Sequence, residues 1–242
     1  MRVALTCIAK NEDNYIQEWI DYNFKLGFDD IFIYQNDWRC SVEHDRVHKI
    51  NFDGHSIQKR AYNSFIQNYY TQYDWVAFLD CDEFLVLKKH KNVKDFIQDY
   101  ANFDCIGINW VLFGDNGLSF DGNYSVLSRF TKRQSSPNPH IKSILKMNRD
   151  AVFSAHNPDN RPVVDTNYKI FYGPFNENGP IDVAQVNHYF GKTRQEWDVK
   201  RNRGDACWVG PDHPQYYRND SDFERHNFNE VEDTLALEFY LS

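Results

Sequence analysis

Two aspartates spaced two residues apart are the clearest candidates for chemistry in this sequence. Asp80 and Asp82 directly follow residues 75–79, a short apolar run typical of a buried strand. In extended backbone, side chains two positions apart point the same way, so both carboxylates can reach one cation. A hard divalent ion is commonly held by one or two carboxylates, while the phosphates of a ligand complete its coordination. The alternative is that the acids only cap the following turn.

Basic side chains that could bind such phosphates occur late in the chain. Lys200 and Arg203 lie three residues apart on a predicted helix and therefore share a face. They could grip a diphosphate, and a solvent-exposed basic face is the alternative explanation. His188 lies near the end of a strand predicted over residues 183–190. Taken alone, such a histidine is more often a hydrogen-bonded core residue than a metal ligand.

Strands and helices must position these side chains, and they alternate in the first half of the chain. A strand over residues 3–9 precedes a helix from Ile16 to Gly27, and a second strand follows over residues 30–34. This order predicts the start of a parallel α/β sheet. In such sheets ligands bind at the carboxyl ends of the strands, which is where Asp80 and Asp82 are expected.

The second half of the chain has a different texture. Strands are predicted over residues 125–131 and 141–147, and the stretch 154–180 is rich in Pro, Asn and Gly, so little regular structure is expected there. Thr193 and Glu196 form a capping box that opens the helix carrying Lys200 and Arg203. Residues 205–242 are predicted as loops and short helices. We therefore predict one domain over 1–242, with an α/β first half (1–120) and an irregular second half that ends in a C-terminal wrap (121–242).

Composition narrows the functional class. The 242 residues carry a net charge of −8, which disfavours a general nucleic-acid binder. The sequence has no G-x-G-x-x-G pattern and no Walker lysine loop, so neither a dinucleotide site nor a P-loop is indicated. Five scattered cysteines without a C-x-x-C pair fit reduced cytosolic thiols. No apolar run approaches membrane-spanning length, so we expect a cytoplasmic protein without a transmembrane segment, for which peripheral docking at the inner face of a membrane stays open.

Several short pieces of the chain stand in a recognisable order. They are Ala9-Lys10-Asn11-Glu12, Glu18-Trp19, Leu26-Gly27-Phe28, Ile31-Phe32-Ile33-Tyr34, residues 75–85, Trp110 with Phe113-Gly114, Asn187-His188-Tyr189-Phe190-Gly191-Lys192-Thr193, and Lys200-Arg201-Asn202-Arg203-Gly204. In these pieces, which cover roughly residues 1–205, the chain resembles GT-A glycosyltransferases. More narrowly it resembles glycosyltransferase family 92 and the related bacterial family 2-like enzymes. The resemblance implies a Rossmann-like fold with a mixed, mostly parallel sheet flanked by helices and an irregular C-terminal half.

The same resemblance implies an activity and a role for each candidate residue. It implies metal-dependent, inverting transfer of a sugar, galactose or glucose, from a UDP-sugar to a glycan or glycoconjugate acceptor in polysaccharide biosynthesis. Asp80 would lie near the ribose or the metal, and Asp82 would ligate Mn²⁺ or Mg²⁺. His188 would be a late metal ligand from a distal strand, and Asn11 and Glu12 would lie beside the nucleotide. Lys200 and Arg203 would then face the diphosphate.

An inverting transfer also needs a general base that takes the proton of the acceptor hydroxyl, usually a carboxylate. Asp115 is the first candidate, because it follows the next strand along the chain after the Asp80 strand. Asp159 and Asp165 are rivals in the second half, and turn formation explains Asp115 equally well. The segment Phe113-Gly114-Asp115 also departs from the serine-rich form that many family members have after Phe-Gly.

Three further residues have expected roles, two of them with an alternative, and two rival functions stay open. Glu83 is expected to support the metal site from behind, Trp110 either stacks on a sugar or fills the core, and His156 either contacts the acceptor or serves its loop. One rival is a sugar-1-phosphate nucleotidyltransferase, which should carry a glycine-rich basic loop after the first strand; residues 9–14 contain no glycine. The other is a non-catalytic nucleotide-sugar or glycan-binding module.

Overall fold

A ten-stranded mixed sheet runs through the centre of the computed structural model, which describes residues 1–177, 179–204 and 217–242. The strands of the described residues are β1 Val3–Ala9, β2 Asp30–Gln35, β3 Val47–Asn51, β4 Trp75–Phe78, β5 Glu83–Leu87, β6 Cys105–Leu112, β7 Lys132–Arg133, β8 Ile141–Lys146, β9 Val163–Val164, β10 Ile170–Phe171, β11 Ala184–His188 and β12 Val231–Glu232. Of these, β7 and β12 pair with each other outside the ten-stranded sheet. The helices are α1 Ile16–Leu26, α2 Gln58–Tyr69, α3 Val93–Asp99, α4 Val126–Arg129, α5 Arg194–Lys200, α6 Asp220–Glu224 and α7 Leu235–Leu241, with a 3₁₀ turn at Arg201–Arg203. The loop predicted from residue 205 lies outside the described residues as far as residue 216, and Cys207 lies there with it.

The strand order is β10-β9-β6-β8-β4-β1-β2-β3, and β11 joins β6 to β5. The four strands β3, β2, β1 and β4 are all parallel, as the sequence predicts. Next to them β8 is antiparallel to both β4 and β6, and β6 then pairs in parallel with β9 and β11. Parallel pairings thus outnumber antiparallel ones, and the predicted mixed, mostly parallel α/β fold is confirmed.

The apolar runs of β1 and β2 are buried on both faces because helices cover both sides of the sheet. Alternate residues of β1 point in opposite directions. Val3, Leu5 and Cys7 pack in the cluster that contains α1 and α3, while Ala4 and Ile8 pack in the cluster that contains α2. Continuous rather than alternating hydrophobicity is what a strand between two helical layers requires.

The strand predicted over residues 125–131 is instead a helical turn, α4, followed by the two residues of β7. The cause is a distant contact. The carboxylate of Glu18, on α1, accepts hydrogen bonds from the Ser125 hydroxyl at 2.7 Å and from the Val126 amide at 2.7 Å. These bonds satisfy a donor at the start of α4, as a cap does, but the acceptor is more than 100 residues away in sequence.

Among the described residues no helix is long and apolar enough to cross a lipid bilayer.

A buried carboxylate ties α5 to the rest of the fold. Glu196 accepts two hydrogen bonds from Arg129, at 2.8 and 3.0 Å, and one from the Tyr15 hydroxyl at 2.8 Å. It also closes the predicted capping box with Thr193. Burial alone would raise the pKa of Glu196, but Arg129, Thr193 and Tyr15 outweigh it and lower that pKa to about 2. Because α5 carries Lys200 and leads into Arg203, the hydrogen bonds of Glu196, which we call the Glu196 anchor, fix the positions of those two cations.

Replacing Glu196 by glutamine retains a capping residue but leaves the Arg129 guanidinium buried without a counter-ion. We expect the free energy of unfolding at pH 7 to fall by about 3 kcal/mol, as for other broken buried ion pairs, measured by urea denaturation. Since folding lowers the pKa of Glu196 from 4.5 to about 2, the stabilisation is fully present above about pH 4.5 and is lost as the pH falls toward 2.

The control for this variant is Glu224→Gln. Glu224 contacts Arg194 at 3.5 Å on the exposed surface, where an ion pair contributes little. A loss in Glu196→Gln no larger than in Glu224→Gln, or one that persists unchanged at pH 2, would contradict the proposed anchor.

Candidate active site

A cavity of about 280 Å³ opens at the carboxyl ends of β1 and β4. The chain order on the sheet reverses between these strands, since β2 lies on one side of β1 and β4 on the other. Such a switch point leaves a crevice in which open α/β sheets bind their ligands. The predicted residues Glu12, Asp80, Asp82, His188, Lys200 and Arg203 all line this cavity. Residues from both ends of the chain are thereby brought to one place.

Asp80 is held by a lysine in the sheet beneath it. Its Oδ2 accepts a hydrogen bond from Lys142 Nζ at 2.8 Å, and its Oδ1 accepts from Gln58 Nε2 at 2.9 Å and Tyr62 OH at 3.2 Å. Burial would raise the pKa of Asp80, but the ammonium of Lys142 outweighs it and lowers that pKa. Asp80 therefore enters the cavity ionised and with most of its acceptor positions filled.

Lys142 is buried with only 1% of its side chain exposed, and it also lies 3.3 Å from Glu83. Glu83 in turn accepts a hydrogen bond from the Asp80 amide at 2.8 Å. Glu83 thus supports the acidic loop from behind, as predicted, through the loop's backbone. The sequence analysis missed Lys142, although a lysine inside the apolar strand β8 was a signal that could have revealed it.

Asp82 faces a second lysine and a histidine. Lys200 Nζ lies 2.5 Å from Asp82 Oδ2 and donates also to the carbonyl of Phe190 at 2.6 Å. His188 Nε2 lies 3.8 Å from the same Oδ2. Burial would raise the pKa of Asp82, but Lys200 and His188 hold it well below its usual range. Burial lowers the pKa of Lys200 to about 8, aided by Lys192 and opposed by Asp82.

Arg203 closes the cavity on the side of the β1 loop. Its Nη1 contacts Glu12 Oε1 at 2.5 Å and the Lys10 carbonyl at 2.8 Å. Asn11 has a left-handed backbone, with φ of 56°, and lies in the wall of a neighbouring cavity rather than of this one. Of the predicted nucleotide contacts, Glu12 therefore lies at the site and Asn11 lies beside it.

The predicted base Asp115 is not brought to the cavity. Its Oδ1 accepts hydrogen bonds from the Gly117 amide at 2.8 Å and from Asn229 at 3.1 Å, so it closes a turn. The rival Asp165 is also a turn residue, bonded to the amides of Asn167 and Lys169. These contacts explain both residues as structural. The geometry gives neither of them access to a substrate in the cavity.

Aromatic rings form the cavity wall opposite the β1 loop. The Trp110 ring stacks on His140 with centroids 4.9 Å apart, and it contacts His156 at 5.2 Å and His188 at 4.4 Å. Trp110 Nε1 and His188 Nδ1 are buried without a hydrogen-bond partner among the described residues. Trp110 is therefore both a core residue and part of the wall, whereas His140 carried no signal in the sequence.

The spacing and chemistry of Asp82 and His188 fit the predicted metal ion. Two donors bound to one Mg²⁺ at about 2.1 Å lie roughly 3–4 Å apart, and the 3.8 Å between Asp82 Oδ2 and His188 Nε2 fits this span. Carboxylate with imidazole also suits Mn²⁺. Lys142, Gln58 and Tyr62 fill three of the roughly four acceptor positions of Asp80, so about one position is left for a ligand. Over residues 1–177, 179–204 and 217–242 no group of three or more His, Cys, Asp or Glu side chains could hold a metal ion. Asp82 and His188 form a pair of possible ligands.

Comparison with known proteins shows the family to which the chain belongs. Residues 40–204, more than half of the chain, match the family model described as "Glycosyltransferase family 92". The chain therefore belongs to glycosyltransferase family 92, and the resemblance proposed from its short motifs is confirmed.

The relatives are distant and longer than this chain. A family 92 protein of Arabidopsis thaliana is 23% identical in an alignment of length 157 that covers 56% of this chain and 27% of the relative. One of Ricinus communis is 23% identical in an alignment of length 213 that covers 78% of this chain and 34% of the relative. The chain thus spans about a third of the relatives' length. Among solved structures, S. aureus TarS aligns with a TM-score of 0.38 and 15% identity, covering 72% of this chain and 60% of TarS.

Replacing Lys142 by methionine keeps a long side chain but leaves the fully buried Glu83 and the partly buried Asp80 without their cation. Removing one partner of a buried ion pair costs about 3 kcal/mol or more, so the free energy of unfolding in urea should fall by about that amount. Lys146→Met is the matched control, because Lys146 stands on the same strand with its side chain exposed. Equal losses in the two variants would contradict the specific role assigned to Lys142.

Proposed function

We propose that this glycosyltransferase moves a hexose, galactose or glucose, from a UDP-sugar to a glycan or glycoconjugate acceptor, with inversion at the anomeric carbon and with a divalent metal ion. The observation that carries the proposal is the meeting of Asp82, His188 and Lys200 at the carboxyl edge of the sheet. A carboxylate and an imidazole can hold a divalent ion, and an ammonium group can contact phosphate oxygens. Both stabilise the negative charge that develops when a nucleoside diphosphate leaves.

Asp82 and His188 are the residues that would hold Mn²⁺ or Mg²⁺ beside the donor's diphosphate. A bound ion supplies stabilisation of the negative charge that develops on the leaving group. Lys200 contributes from the protein side, because its ammonium is close enough to exchange the carboxylate of Asp82 for a phosphate oxygen. Arg203 adds a guanidinium 2.5 Å from Glu12, at the cavity wall where the nucleotide would enter.

The nucleoside would lie along the β1 side of the cavity. Ile8, Ala9 and Asn36 line that side, and Asp80 stands between it and the metal pair. Asp80 is ionised and rigidly held by Lys142, so it can accept a hydrogen bond from a ribose hydroxyl without moving. We extend the proposal to a reducing, cytoplasmic setting, which is supported by the four described cysteines, all free thiols.

Inversion needs a proton acceptor on the face of the sugar opposite the diphosphate. The carboxylates Glu12, Asp80 and Asp82 are each paired with a cation within the cavity. In each pair a carboxylate oxygen already contacts the ammonium or guanidinium group. The acceptor of the proton is therefore sought among the other side chains of the cavity wall.

Titration calorimetry with UDP, UDP-galactose and UDP-glucose tests the proposal, with and without Mn²⁺. We expect metal-dependent binding to the wild type and at least tenfold weaker binding to Asp82→Asn, which loses a charged metal ligand. Asp182→Asn is the control, because Asp182 forms an exposed ion pair with Lys89 away from the cavity.

The outcomes separate the alternatives. Binding that is equal in Asp82→Asn and wild type, or that ignores the metal, would overturn the assignment of Asp82. Binding of UDP-sugars without transfer to any glycan would favour the non-catalytic nucleotide-sugar-binding module. Absence of binding in all cases would remove the UDP-sugar donor from consideration.

A further inference from the structure

A second cavity of about 310 Å³ adjoins the active site on the side of the sheet's β10 edge. We call it the outer groove and define it by His156, Asn157, Arg161, Tyr172 and Pro174, which line it. His156 lines both this groove and the active-site cavity, so this residue lies between the two spaces.

We propose that the outer groove binds the acceptor, a neutral pyranoside, and that His156 accepts the proton of its reacting hydroxyl. This inference rests on the proposed function and adds to it the place and class of the second substrate.

The groove has the chemistry that a pyranose requires. A sugar ring presents apolar C–H faces and a rim of hydroxyl groups, so it binds where a flat aromatic surface lies beside side chains with donors and acceptors. Tyr172 supplies the aromatic surface and is 74% exposed. Asn157, Arg161 and Ser154 supply polar groups around it.

Tyr172 belongs to a larger exposed apolar patch. Tyr168, Ile170 and Phe175 on the same short stretch are each about half exposed. Clustered exposed apolar side chains with a polar rim mark binding sites more often than isolated ones do. Tyr172 lines the groove itself, and the other three residues lie within four positions of it along the chain.

Aromatic rings continue from this patch into the active site. The Phe175 ring lies 4.6 Å from His140, edge to face, and His140 is stacked on Trp110 at 4.9 Å. Ring contacts therefore connect the exposed Phe175 with the aromatic wall of the active-site cavity.

Hydrogen bonding fixes which nitrogen of His156 is free. Its Nδ1 lies 3.0 Å from the carbonyl of Ile141, and a carbonyl only accepts, so Nδ1 carries the proton. Nε2 then keeps its lone pair. Burial, aided by Lys142, lowers the pKa of His156 to about 3, so the ring is neutral at pH 7 and Nε2 is unprotonated.

The transfer step balances with this assignment. The acceptor oxygen forms a bond to the anomeric carbon while the bond from that carbon to the diphosphate oxygen breaks. The electron pair of the broken bond leaves with the diphosphate, and the hydroxyl proton moves to Nε2 of His156. The negative charge of Asp80 favours the imidazolium so formed, and the proton then passes to solvent.

Saturation-transfer NMR tests the groove with three probes: methyl β-galactopyranoside, lactose and cellobiose. We expect at least one of them to bind the wild type in the presence of UDP and Mn²⁺, and Tyr172→Ala to weaken it about tenfold, since an aromatic stacking contact contributes about that much. Tyr124→Ala is the matched control: it removes an exposed tyrosine that lines the neighbouring cavity beside Asn11.

Transfer of sugar from the UDP-sugar to the probe that binds tests His156. We expect His156→Gln to lower kcat at least 100-fold, the usual contribution of a general base, with the KM for the probe and the affinity for UDP changed less than threefold. Tyr172→Ala should instead raise KM and leave UDP affinity unchanged. This split separates proton transfer from a structural effect on either variant.

Several results would overturn the inference. One is weaker probe binding in Tyr124→Ala instead of Tyr172→Ala, and another is no binding of any probe while UDP still binds. An unchanged kcat in His156→Gln would overturn the role of His156. A change only in oligomeric mass for Tyr172→Ala would make the patch a contact between copies of the chain. Loss of both UDP and probe binding in the wild type would instead count against the proposed function itself.

Discussion

The ion pair between Lys142 and Asp80 is the interaction on which the site depends. Lys142 is almost wholly buried in β8, and a buried ammonium is tolerated only where carboxylates surround it. Asp80 and Glu83 surround it at 2.8 and 3.3 Å. Because these acids lie at the two ends of the short loop that also contains Asp82, a single charge in the sheet holds the whole loop in register with β8.

The same principle of matched charge extends across the cavity. Each acid at the site has its cation: Lys142 for Asp80, Lys200 for Asp82 and Arg203 for Glu12. Two of these cations come from the region that follows β11, far along the chain. A phosphorylated ligand would therefore not enter a bare positive pocket, and it would compete with acids for cations that are already in position. Selectivity for a ligand that carries its own metal ion would follow from such competition.

The sequence predicted the parts of the fold that depend on local pattern. Continuous apolar runs identified β1, β2 and β4, and the alternation of strands with helices identified the parallel half of the sheet. It mispredicted α4 because the group that stabilises this turn is Glu18, on a distant helix. It proposed Asp115 as the base because that residue follows a strand, but two asparagines near residue 228 and the turn itself use its polar groups. Lys142 and His140 reach the site only through the position of β8, and strand order is not encoded in local spacing.

The place of β8 also has a consequence for how the chain is made. Residues 141–146 form the strand that separates β4 from β6, although both of those neighbours are synthesised earlier. Until β8 arrives, the nascent half-sheet presents β4 as an unpaired apolar edge, and such edges are prone to pair with other chains. Because the pairing joins segments more than sixty residues apart, it also carries a high loop-closure cost and is slow relative to local contacts. Productive folding on the ribosome thus waits for the strand that also delivers the lysine of the active site.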